Sequence, residues 1–92
     1  MRAERKDRNH ADVVAALKAI GCSVEVLPGG KGRPDLAAGK SGLTMFLEVK
    51  SEGGKLNKLQ QDWHQDWRGH STVVWSPEQA MRAVIDHVLK HE

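Results

Sequence analysis

The chain has 92 residues, 39% of them apolar, with three Trp, one Phe, no Tyr and a formal net charge of +2. That suffices for one domain with a modest, mainly aliphatic core, and no stretch approaches the roughly 18 apolar residues of a membrane span. The charged start, Met1 to Asp7, has no apolar run behind it of the kind that makes a secretion signal, and Cys22 has no partner for an intrachain disulfide, so a reducing cytoplasm is the expected setting.

No repeat, low-complexity tract or linker divides the chain, so residues 1–92 are expected to form one unit. Val13, Val14, Leu17 and Ile20 recur at the i, i+1, i+4, i+7 spacing of one helix face, predicting a first helix over 9–20 that Gly21 stops. Val24 and Val26 alternate with Glu25, as in a short strand that runs out at Pro28-Gly29-Gly30. A second strand is predicted over 34–38 and a third over 43–50, joined through Gly39-Lys40-Ser41-Gly42 as an antiparallel hairpin. Gly53-Gly54 breaks the third strand. A helix follows with Leu56, Leu59, Trp63 and Trp67 on one stripe, and the i, i+4 pair Trp63 and Trp67 is expected in the core. Residues 72–75 read as a short buried strand. Ser76-Pro77-Glu78-Gln79 is a helix start, with a capping Ser, Pro at the first helical position and Gln three residues after the cap. Ala80/Met81, Val84/Ile85 and Val88/Leu89 give the last helix its apolar face. The order αβββαβα predicts an α/β fold, a mixed sheet with helices packed on it.

The modest net charge is unevenly placed. Lys31, Arg33, Lys40, Lys50, Lys55 and Lys58 stand in residues 31–58 against Asp35, Glu48 and Glu52, and the first ten residues are also basic. Cations gathered around one stretch suit a phosphate-backbone partner, although a solvated loop-rich surface has the same composition. Gly29-Gly30-Lys31-Gly32-Arg33 opens no helix and lacks P-loop spacing, so it reads as a flexible basic loop against a phosphate backbone, with an ordinary turn between strands as the alternative. Lys55 and Lys58 begin a helix whose N–H groups also favour phosphate. Lys31, Arg33, Lys55 and Lys58 are therefore the candidate contacts to a nucleic-acid backbone, without base readout.

The chemistry concentrates on the third strand. In Met45-Phe46-Leu47-Glu48-Val49-Lys50 the side chains alternate, so Phe46, Glu48 and Lys50 share one face and Met45, Leu47 and Val49 the other. Asp35 opens the neighbouring strand of the hairpin, which brings it close to Glu48. Two carboxylates at a strand end form a hard-oxygen site for Mg²⁺ or Mn²⁺, and the adjacent Lys50 can position an attacking water and neutralise charge on phosphorus oxygens. An exposed salt bridge of Lys50 with Asp35 or Glu48 is the plainer alternative for Glu-x-Lys alone. Pro-Asp upstream, the basic glycine loop before it and Gly-Gly after it favour the metal site.

Pro34-Asp35 followed by Glu48-Val49-Lys50 resembles the PD-(D/E)xK nuclease motif. More narrowly, Gly32-Arg33-Pro34-Asp35-Leu36, Phe46-Leu47-Glu48-Val49-Lys50 and Gly54-Lys55-Leu56-Asn57-Lys58-Leu59-Gln60 together resemble the VRR-NUC branch of that superfamily, which includes small stand-alone phage and bacterial proteins. The resemblance covers roughly residues 10–75. It implies a restriction-endonuclease-like αβββαβ core with an extra C-terminal helix, Asp35 and Glu48 as metal ligands, and Lys50 assisting the attack. It also implies a catalytic role for Gln60 on the following helix, and Asn57-x-x-Gln60 independently fits a capping box. Where the family usually carries a glutamate on its first helix, counting back from Gly21 reaches His10. That residue can ligate Mn²⁺ but is a poor Mg²⁺ ligand, and it reads equally as a surface residue, with Asp12 and Glu4 as substitutes.

The expected function is a structure-selective, Mg²⁺- or Mn²⁺-dependent DNA endonuclease. The resemblance to Holliday-junction resolvases implies branched DNA and a homodimer, because cutting two strands takes two chains. The alternatives are a nicking or restriction-type nuclease of ordinary duplex and a non-catalytic DNA-binding module that keeps the fold. His64 and His70 are expected on the surface, and His87 and His91, an i, i+4 pair, at a solvent-exposed helix end.

Overall fold

A computed structural model describes residues 2–91, with side chains from Arg8 to His91. The elements follow the expected order: α1 (Arg2–Ala19), β1 (Ser23–Val26), β2 (Leu36–Lys40), β3 (Leu43–Val49), α2 (Lys58–Asp66), β4 (Ser71–Val74) and α3 (Pro77–Lys90). The strands form one mixed sheet in the order β1-β2-β3-β4, antiparallel except for the parallel β3–β4 pair. Among the described residues no helix is long and apolar enough to cross a membrane.

The β2–β3 hairpin is where the sequence pattern and the structure agree most closely. Lys40 pairs with Leu43 across a two-residue turn whose Ser41 and Gly42 both take positive φ, the left-handed pair that a tight hairpin demands. Gly39 and Lys40 continue β2 rather than forming the turn, so the strand lies two residues later than 34–38. Lys40 is not free for a ligand, because its Nζ donates to the Ile20 carbonyl at 2.6 Å and so caps the end of α1.

Strand alternation sorts the sheet into two unlike faces. Leu36, Ala38, Met45, Leu47, Val49 and Val74 are buried on one, beneath α1 and α3, which pack on each other and contribute Val13, Leu17, Ala80, Val84 and Val88. Each fully buried aliphatic side chain of this layer contributes about 1.5–3 kcal/mol, so this face holds the fold together. Ser76 and Pro77 start α3 as expected, with the Ser76 hydroxyl accepting from the Gln79 N–H. Cys22 is buried at the rim of this core, and burial pushes its thiol above the ordinary range against the opposing pull of Lys40.

The other face carries Ala37, Phe46, Glu48 and Val73, and only α2 lies beside it. None of the α2 residues is buried, Leu59 keeps 59% of its surface and Trp67 keeps 42%. The expected core positions of Trp63 and Trp67 are thus corrected. A nine-residue helix beyond the edge of the main core cannot submerge two indoles, and they instead stack on each other with centroids 5.0 Å apart and an interplanar angle of 14°.

Among the histidines, His70 and His91 are exposed as expected, whereas His64 and His87 are partly buried. His64 is half-buried, stands edge-on to Trp63 and shares a 3.0 Å hydrogen bond with the Ser71 hydroxyl. His70 and His87 stack at 3.8 Å, with His91 4.5 Å from His87. Burial holds His64, His70 and His87 below their ordinary pKa of 6.5. The charges of His91 and Lys90 add to this at His70, and those of His70, His91 and Lys90 at His87. The unfolded chain therefore takes up these protons first as the pH falls. The stability of the neutral rings is complete above about 6.5 and is lost below it. Thermal melts should show a midpoint that is level near pH 8 and falls steadily below about pH 6.5, with a shallower fall in His70→Gln. A midpoint that rises on acidification would contradict this assignment.

Candidate active site

The C-terminal end of β3 gathers the motif residues. Extending the register Leu36↔Leu47 by one residue sets Asp35 opposite Glu48. The Asp35 N–H donates to the Leu47 carbonyl at 3.0 Å, and its Oδ2 accepts from the Val49 N–H at 2.8 Å. The carboxylate thus takes the place of a backbone acceptor at the end of the ladder, which orients it at the mouth of the site. Pro34 before it is fully buried and fixes the approach of the chain.

Glu48 is the one buried charged residue among those described, at 3% exposure. Its Oε2 accepts from Gln60 Nε2 at 3.1 Å and lies 3.9 Å from Lys50 Nζ. These partners meet the requirement that a carboxylate taken out of water be hydrogen-bonded and charge-matched. Gln60 also closes a capping box on α2. Its N–H donates to Asn57 Oδ1 and its Oε1 accepts from the Asn57 N–H, each at 2.9 Å. The two roles weighed for Gln60 therefore coexist, because the amide oxygen serves the cap and the amide nitrogen serves Glu48.

Lys50 is held at both ends. Its N–H bonds the Val74 carbonyl at 2.9 Å, and its own carbonyl accepts from Asn9 Nδ2 at 2.8 Å. Asn9 was missed in the sequence, although its phase was legible. It precedes Val13 by four residues and Leu17 by eight, and both are fully buried, so it lies on the inward stripe. His10 falls one position round the helix and lines a separate cleft with Ala11, Val14, Lys18 and Val26. Asp12 is closer to the site, in a cleft with Arg8, Ser51, Glu52 and Trp75. The side chain of Glu4 lies outside the described residues.

Of the candidate DNA contacts, Lys31, Arg33 and Lys55 are exposed. Lys58 is exposed too but is ion-paired with Asp62 at 2.9 Å. The glycine loop is pressed against α2, because a Cβ built on Gly32, whose φ is +82°, would collide with the Leu59 carbonyl. The loop that carries Lys31 and Arg33 and the helix that carries Gln60 are thereby brought into backbone contact.

A solved structure named "VRR_NUC domain" matches this fold with a TM-score of 0.73 and 28% sequence identity, covering 87% of this chain and 94% of its own. No family model matches the sequence, and neither does any curated protein.

Two substitutions test how the site is built. Gly32→Ala combines a strained φ with a backbone collision, so a loss of about 1–3 kcal/mol on chemical denaturation is expected. An unchanged midpoint would place the loop elsewhere. Gln60→Ala keeps the Asn57 cap but removes the reciprocal half of the capping box and the hydrogen bond to a buried carboxylate, and a loss of roughly 2 kcal/mol is expected. Asn57→Ala should lose less, because it spares the Glu48 contact, and equal losses would leave Gln60 a capping residue alone. In fold, over most of its length, the chain is similar to a VRR_NUC domain, a nuclease-type domain.

Proposed function

We propose that the chain is a divalent-metal-dependent, structure-selective DNA endonuclease that hydrolyses phosphodiester bonds in branched DNA such as a four-way junction, acting as a homodimer. The observation that carries this reading is the meeting of Asp35, Glu48, Lys50 and Gln60 at the end of β3, on the face that α1 and α3 leave open. Two carboxylates with no nitrogen or sulfur donor suit Mg²⁺ or Mn²⁺, which complete their shells with water and substrate phosphate. The donor set fits an ion of that kind and not a closed protein cage, since no three His, Cys, Asp or Glu side chains gather among the described residues.

Asp35 and Glu48 would hold the ion, which when bound supplies Lewis-acid charge and a more acidic attacking water. The remaining work falls to the chain. The Val49 N–H fixes Asp35, and Gln60 fixes Glu48. The Lys50 ammonium places the water for in-line attack and offsets charge on the phosphorus oxygens. Lys31, Arg33 and Lys55 grip backbone phosphates without reading bases. Severing two strands takes two active sites, hence two symmetry-related chains. Exposed Ile85 and Leu89 on α3 are available for that contact.

One observation favours a second reading, a DNA-binding module that keeps the fold without cutting. The inward residue of α1 beside the site is Asn9, an amide that brings no third carboxylate.

The test uses labelled four-way junction, flap and linear duplex with Mg²⁺, Mn²⁺ or EDTA. Metal-dependent cutting that prefers branched DNA is expected, with rates at least about 100-fold lower in Asp35→Ala and Lys50→Ala. Cutting that survives EDTA or these substitutions overturns the mechanism. Junction binding without cutting in any metal selects the binding module, and a preference for linear duplex removes the junction substrate.

A further inference from the structure

Next to the motif residues, on the same face of the sheet, is an apolar cleft of about 300 Å³ lined by Pro28, Arg33, Pro34, Phe46, Trp63 and Trp67. It is continuous with the site at three points. Pro34 precedes Asp35, Phe46 lies two residues before Glu48 on the same face, and Trp63 is one helical turn beyond Gln60. Phe46 meets both indoles edge-on, at 5.9 and 5.2 Å, and the two indoles are nearly parallel. Flat π-surface is therefore held in a fixed orientation, and the Trp67 side remains open to solvent. An exposed Arg33 stands at the rim.

We propose that this cleft stacks one unpaired nucleobase of the DNA strand next to the phosphate being cut. Aromatic surface takes any base by its π-face, and a guanidinium at the rim matches the phosphate attached to that base, so the charge and the shape of the cleft agree on one ligand. A base inside a duplex has both faces covered by its neighbours, so only an unpaired or extruded nucleotide can enter. The cleft thereby supplies a physical basis for choosing branched or single-stranded DNA over duplex. It rests on the reading of the adjacent site as a nuclease centre, but the contact itself requires no metal.

The experiment uses the Trp75→Phe protein, in which Trp63 and Trp67 are the remaining tryptophans, in EDTA so that nothing is cut. Short oligo-thymidylate should quench the indole emission, and a blunt duplex of the same length should not. By anisotropy of the labelled strand, Trp67→Ala should weaken single-strand binding about tenfold and duplex binding less than about twofold, while Trp67→Phe keeps most of the affinity. Circular dichroism shows whether Trp67→Ala is folded, and the quenching result stands if it is not. Absent quenching, equal quenching by duplex, or equal losses on both DNAs would overturn the proposal. So would a dimer that Trp67→Ala converts to monomer without loss of single-strand binding, which would give the cleft to a second copy of the chain. A protein that stacks the strand but never cuts defeats the nuclease reading alone, and one that cuts junctions normally as Trp67→Ala defeats only the cleft.

Discussion

The withdrawal of the Glu48 carboxylate from water governs much of what surrounds it. At 3% exposure the group cannot rely on solvent, so its donors must come from the protein. Gln60 must sit within reach, which requires α2 to begin where it does, and the Asn57 cap starts the helix one turn before the contact. Lys50 must lie on the same strand face, which the two-residue period of β3 ensures. The glycine loop must let α2 approach, which is why position 32 carries no Cβ. One buried charge thus couples the central strand, the second helix and the basic loop.

The parts of the fold governed by local rules were legible in the sequence. The hairpin was, because Ser41-Gly42 is a tight-turn pair between two apolar runs. The start of α3 was, because Ser76-Pro77 acts within one turn of chain. The Glu48–Lys50 face followed from alternation, and the pairing of Asp35 with it from the register of that hairpin. What escaped depended on which elements meet. Counting back from Gly21 pointed to His10, whereas phase measured from the buried pair Val13 and Leu17 points to Asn9. Trp63 and Trp67 have the spacing of a core stripe, but periodicity says which residues share a face and not whether anything covers that face. Lys40 counted towards the basic stretch, yet it lies on a strand that delivers it to the end of α1.

The same distinction reshapes the charge pattern. Of the six cations within residues 31–58, Lys40 is engaged with a helix end, Lys50 with Glu48 and Lys58 with Asp62. Lys31, Arg33 and Lys55 are exposed, and Arg33 lines the cleft beside Phe46. Within this stretch, only part of the formal charge is therefore free to meet a polyanion.

The attachment of α2 has a kinetic meaning. A nine-residue helix is too short to persist in water by itself, and this one lacks a buried residue. It is kept by the Gln60–Glu48 and His64–Ser71 bonds, the aromatic edge contacts and the seat at Gly32. Detachment would remove the amide partner of Glu48 and half of the aromatic cleft in one event, while the core beneath α1 and α3 stayed intact. Assembly of the site is therefore a local folding equilibrium, separable from global stability, with the protection of the α2 amides against hydrogen exchange as its natural coordinate. A strand that stacked in the cleft would bind only the docked form and would shift that equilibrium towards it.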